Sequence, residues 1–228
     1  MRRLLNSIFA LFLLLTAALA QAGALDAIST GDASAGVKEA LAKGADYAVA
    51  SLGKDGGFMG NSKVKIPLPG YLQKAEKGLR MFGMGKQADQ LIETMNHAAE
   101  DAVAEAKPIL VESIKKMSVQ DAKGILTGGE GSVTQYFKRT SSTQLSEKFM
   151  PIVKASTSKL KLADKYNQFA GKAASSGLID QKDADLDGYV TQKAMDGLFL
   201  MIAEEEQKLR ANPVGAGSDL LKKVFGAL

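Results

Sequence analysis

Residues 183 to 194, DADLDGYVTQKA, place Asp183, Asp185 and Asp187 at alternate positions, with Gly188 sixth and Val190 eighth. This is the opening of an EF-hand loop, which gathers carboxylate and carbonyl oxygens around calcium. The same motif needs a bidentate glutamate at its twelfth place, and Ala194 stands there with no side-chain oxygen. Gly177 also interrupts the chain where the entering helix should run. An aspartate-rich turn and helix cap therefore explains the segment better than calcium. Asp183, Asp185 and Asp187 remain only weak metal candidates, and no cofactor is expected.

Other chemistries are limited by what the chain lacks. The sequence holds one histidine, His97, and no cysteine. Thiol catalysis, thiolate metal sites, disulfides and multi-histidine metal centres are thereby excluded. A serine hydrolase triad would have to use His97. That residue stands on a helix flank beside Asn96, Glu100 and Asp101, where a histidine ordinarily serves packing or pairing. The balance of these absences weighs against an enzyme.

Five residues stand out as binding candidates: Asn96, Glu100, Tyr136, Arg139 and Glu205. Asn96 and Glu100 lie one helical turn apart beside an alanine-rich apolar stripe, where they either satisfy each other across a helix interface or line a groove. Tyr136 reads mainly as core, and with Arg139 it follows on the next polar-edged helix. Glu205 follows Leu198 by seven residues on an apolar stripe, so the spacing points it inward. A buried carboxylate needs a cation or a proton, and Arg80, Arg139 and Arg210 are the available partners. If Glu100 and Glu205 shared an open cleft within about 10 Å, they could act as the acid and base of a glycan hydrolase.

Helical periodicity positions most of these groups. Ala88, Leu91, Ile92, Met95, Ala99, Ala102, Val103 and Ala106 recur at steps of three and four. Pro108 opens a new helix to Met117, and Ser118 with Asp121 caps the next. TGGEG, residues 127 to 131, ends that one, and Ser132 starts another that buries Tyr136 and Phe137. Helices are further predicted around 142 to 160 and 162 to 175. Thr191 is expected to cap a long helix ending at Asn212-Pro213, and SDLLKKVFGAL closes the chain with a short amphipathic segment. Strand alternation is absent, since VKIPLP at 64 to 69 carries two prolines. The predicted class is all-α: a single-domain multi-helix bundle with one long irregular loop at residues 53–70, packed by Phe58, Ile66 and Leu68. Long loops of this kind are more often functional than helix faces are.

The amino terminus sets the expected location. Arg2 and Arg3 precede the apolar run LFLLLTAALA and an Ala20-Gln21-Ala22 site, the three parts of a secretory signal peptide. The apolar stretch from Ile8 to Ala20 is thirteen residues, short for a membrane span. Residues 1–22 are expected to be cleaved, leaving residues 23–228 as one helical domain in the periplasm with no transmembrane segment. Two of the 29 basic residues would leave with the signal, so 27 would face 25 acidic ones, a net charge of +2. No basic patch interleaved with aromatics supports a nucleic-acid partner.

The ordered set NSKVKIPLP, MNHAAEDAVAEA, SVQDAKGILTGG, TQYFKRTSSTQL, YVTQKAMDGLF, EEEQKLRANP and LLKKVFG resembles an exported bacterial family catalogued only as a domain of unknown function. The resemblance runs from about Leu52 to the end of the chain. It implies a Gram-negative periplasmic protein and no particular activity. In that family an arginine stands more often where His97 does, which weakens a special role for this histidine. The expected function is a periplasmic binding or interaction module, with a periplasmic protein or small envelope ligand as partner. A carboxylate-dependent glycan hydrolase and a weakly calcium-stabilised structural module are the alternatives.

Overall fold

A computed structural model of the chain describes residues 29–70, 72, 73, 80, 81, 83, 85–159, 166, 167, 175, 177, 184–213 and 218–226. The expected signal peptide of residues 1–22, Asp183, and most of the helix expected at 162 to 175 lie outside them. Seven helices are described over their whole length, no strand occurs among the described residues, and the fold is all-α. They are α1 (Thr30–Leu52), α2 (Gly85–Ala104), α3 (Lys107–Lys115), α4 (Val119–Thr127), α5 (Ser132–Thr157), α6 (Leu186–Ala211) and α7 (Asp219–Phe225).

Four long helices, α1, α2, α5 and α6, make the frame. α6 packs against the other three, α2 also packs on α5, and α3, α4 and α7 close the sides. One hydrophobic cluster runs through them, with Leu41, Met95, Phe137, Leu145, Phe149, Val190, Leu198 and Ile202 all fully enclosed. Each such side chain contributes about 1.5–3 kcal/mol by leaving water. α2 turns its alanines, Ala98, Ala99 and Ala102, into this cluster, and small side chains let a neighbouring backbone come close.

Helix α1 was not anticipated from the sequence. Its buried stripe of Val37, Ala40, Leu41, Gly44, Ala45, Ala48 and Leu52 has helical steps, but alanine and glycine make the apolar signal faint. Gly36 shows why small residues are needed: a Cβ there would lie 2.6 Å from a methyl of Val224 on α7. Two further boundaries differ from expectation. The helices expected from Ser132 and around 142 to 160 are one continuous helix, α5, with Pro151 inside it. α6 begins at Leu186, with Asp185 as its N-cap accepting from Gly188 N–H at 3.0 Å. Thr191 is buried within that helix, its hydroxyl 3.8 Å from the Met150 sulfur.

The 53–70 loop is anchored as its apolar residues suggested, with Phe58, Ile66 and Leu68 buried. Gly197 on α6 makes room for it, since a Cβ there would lie 2.7 Å from the Phe58 ring.

Candidate functional site

Two polar constellations and one cleft emerge from this frame. The first fastens the long loop. The Asn96 carboxamide meets the Ile66 peptide twice: Oδ1 accepts from Ile66 N–H at 2.8 Å, and Nδ2 donates to Ile66 C=O at 2.9 Å. Nδ2 also donates to Ile92 C=O at 2.7 Å, so both amide protons are used. One turn further along α2, Glu100 Oε1 accepts the N–H groups of Phe58 at 2.9 Å and Met59 at 3.1 Å. Its Oε2 lies 2.8 Å from His97 Nδ1. Asn96 and Glu100 therefore bond the loop backbone and not each other. Both are buried, and both are satisfied.

The second constellation locks a turn. Glu206, with its side chain 1% exposed, accepts N–H bonds from Val133 at 3.2 Å and Thr134 at 3.3 Å. These amides are free donors in the first turn of α5, where Gly131 occupies the N-cap with φ 81° and offers no side chain. The carboxylate from α6 thus does the work of an N-cap, and it meets the positive end of the helix dipole. Arg210 Nε sits 3.1 Å from Glu206, while its NH2 group donates to Ile125 C=O and Ser132 Oγ at 2.8 Å each. This ion pair and the Ser132 hydroxyl, which donates to Ile125 C=O at 2.8 Å, join the end of α4 to the start of α5.

The inward carboxylate of α6 is therefore Glu206. Glu205, expected to point inward, is partly exposed and pairs with Lys208 on the same helix. That contact raises the Lys208 pKa, chiefly through the hydrogen bond to Glu205. Arg210 is the arginine that neutralises the buried acid, but its partner is the neighbour of the residue expected.

Directly over the locked turn lies a cleft of about 470 Å³ lined by α4 and α5. Gln120, Asp121, Gln135, Tyr136 and Arg139 face it, and Gly124 and Gly128 leave part of its wall as backbone. Asp121 joins the two walls. It closes the capping box of α4 with Ser118 and accepts from Arg139 at 2.7 Å. The Ser118 hydroxyl, followed by its backbone N–H and then Arg139, holds the Asp121 carboxyl below the ordinary aspartate range against the opposing cost of burial. Tyr136 donates to Ser113 C=O at 2.7 Å, and the Arg139 guanidinium stacks 5.4 Å from its ring centre. Burial, with Asp121 second, raises the Tyr136 pKa, so the phenol stays a neutral donor.

Of the five binding candidates, the structure brings only Tyr136 and Arg139 together in the cleft. Asn96 and Glu100 face the loop, and Glu205 faces Lys208. Neither carboxylate of the hypothetical glycan-hydrolase pair lines the cleft. In the aspartate-rich segment, Asp185 caps α6 and Asp187 accepts from the Thr157 hydroxyl at 2.6 Å. Sequence reasoning missed Glu206, Ser132, Gln120 and Gln135, whose importance comes from the meeting of α4, α5 and α6.

Residues 27–226 match the family model described as a protein of unknown function (DUF4197). The chain belongs to this family. The match spans all the described helices of the DUF4197 fold, from α1 to α7. No curated protein and no solved structure matches the chain. Among the described residues no helix is long and apolar enough to cross a membrane.

Proposed function

We propose that this protein is an exported, periplasmic helical binding module whose ligand seat is the α4–α5 cleft. The observation that carries the reading is the cleft itself: about 470 Å³, within the range of small-ligand sites, over a turn fixed by a buried ion pair. Gln120 and Gln135 supply amide donors and acceptors, and the Arg139–Asp121 pair supplies one charge of each sign. Such a lining suits a small polar envelope compound better than an apolar one. The basic start, short apolar run and Ala20-Gln21-Ala22 site support export. The hydrolase alternative lacks support, because Glu100 is enclosed by the loop and Glu205 is tied to Lys208.

The test is a melting-temperature panel of nucleotides, lipid headgroups, sugars and cell-wall fragments. A ligand confined to the folded state raises the midpoint. The expected result is a rise with one polar compound, its affinity falling about tenfold in Gln135→Ala and in Arg139→Ala, the loss of roughly 1.4 kcal/mol each. A flat panel overturns the small-ligand reading in favour of a protein partner. A rise unchanged in both variants removes the cleft.

A further inference from the structure

Asp55, His97 and Glu100 lie outside the cleft, and each presents a ligand atom within 4.8 Å of the others. They come from different parts of the fold: Asp55 from the first turn of the 53–70 loop, His97 and Glu100 from α2. We propose that they form a binding site for one divalent transition-metal ion of the zinc class.

The chemistry of the donors selects that class. One imidazole and two carboxylates suit a borderline ion such as zinc, whereas calcium and magnesium take oxygen ligands. The two carboxylates also balance the dication. Glu100 is already oriented: Oε1 is tied to the Phe58 and Met59 N–H groups, which leaves Oε2 beside His97 Nδ1 at 2.8 Å. A metal replaces the proton shared between those two atoms and draws in the exposed Asp55. Glu93, one turn earlier on α2, lies 3.9 Å from Nε2, beyond hydrogen-bond distance, and adds negative charge on that side of the ring. Half-exposed His97 and exposed Asp55 leave the remaining coordination positions open to water. The ion cross-links the loop to α2 at the point where the Glu100 carboxylate already holds it.

An arginine in place of His97 would keep the ion pair with Glu100 and lose the metal ligand. This gives a clean test, because His97 is the sole imidazole of the chain. Untagged protein is titrated with zinc chloride while calorimetry follows binding and nitrogen-15 spectra follow the ring. The expected result is one equivalent of zinc, a metal-dependent shift of the imidazole resonances, and reversal by a chelator. Asp55→Asn and His97→Arg should each weaken binding about tenfold or more, with helical circular dichroism unchanged. Calcium and magnesium should leave the ring unmoved. An imidazole that does not respond to zinc overturns the site and leaves an ion pair only. Zinc binding of equal strength in both variants overturns it as well.

Discussion

Glu205 and Glu206 are adjacent glutamates with opposite surroundings. Glu206 is enclosed, bonded to two α5 amides and to Arg210, while Glu205 makes an exposed pair with Lys208. Removing one member of a buried pair leaves an uncompensated charge, at a cost of about 3–5 kcal/mol, whereas an exposed pair is worth about 0–1 kcal/mol. Glu206→Ala should therefore lower the denaturation midpoint strongly and Glu205→Ala barely, as urea unfolding curves with unchanged slopes will show. Equal effects would mean that the α6 register is wrong. The sequence showed that a carboxylate had entered an apolar stripe, but a step of seven residues drifts by about 20° on a straight helix. Adjacent glutamates at the end of a broad buried band then compete for the inner place. The free amides of α5 favour Glu206.

At the scale of elements, the 53–70 loop holds its form because α2 reaches into it. Asn96 satisfies both the N–H and the C=O of Ile66, and Glu100 satisfies Phe58 and Met59. Asn96→Ala would strand those buried Ile66 groups at about 1–3 kcal/mol each. The expected outcome is faster amide hydrogen exchange at residues 58–66, with α5 amides keeping their protection. Uniform loss of protection across the chain would instead show that the loop and the bundle unfold together. The sequence identified this loop by its missing period and its prolines, and identified Asn96 and Glu100 by their position beside the α2 stripe. Their partners were hidden, because backbone amides of a distant segment carry no residue-type signature.

For the whole molecule, loop and bundle are fitted through contacts that small residues permit. Phe58 and Val64 lie against Gly197 on α6, where a Cβ would come 2.7 Å from the ring. Gly197→Ala puts a methyl into that contact, and overpacking of this kind costs about 1–3 kcal/mol. Its conformational benefit within a helix, about 1 kcal/mol, offsets only part of this. Thermal melts should show a net loss for Gly197→Ala and a gain for Gly124→Ala on α4, where a Cβ meets nothing within 4 Å. A gain at both positions would mean that the loop does not sit on α6.

The sequence by itself determined the helical class, the new helix opening at Pro108, the stop at Asn212-Pro213 and the Ser118 cap, because these follow from bonding within a few residues. It also excluded thiol and multi-histidine chemistry by composition. The faint α1 helix and the continuity of α5 depended on neighbours. So did the cleft, which forms where Gly124 of α4 and its C-cap Gly128 face the polar edge of α5. Local hydrogen bonding and hydrophobic period are written along the chain, so they can be read there. Which of two adjacent glutamates is buried, and which backbone amides it meets, is decided by helices distant in sequence, and so only the tertiary structure fixes it.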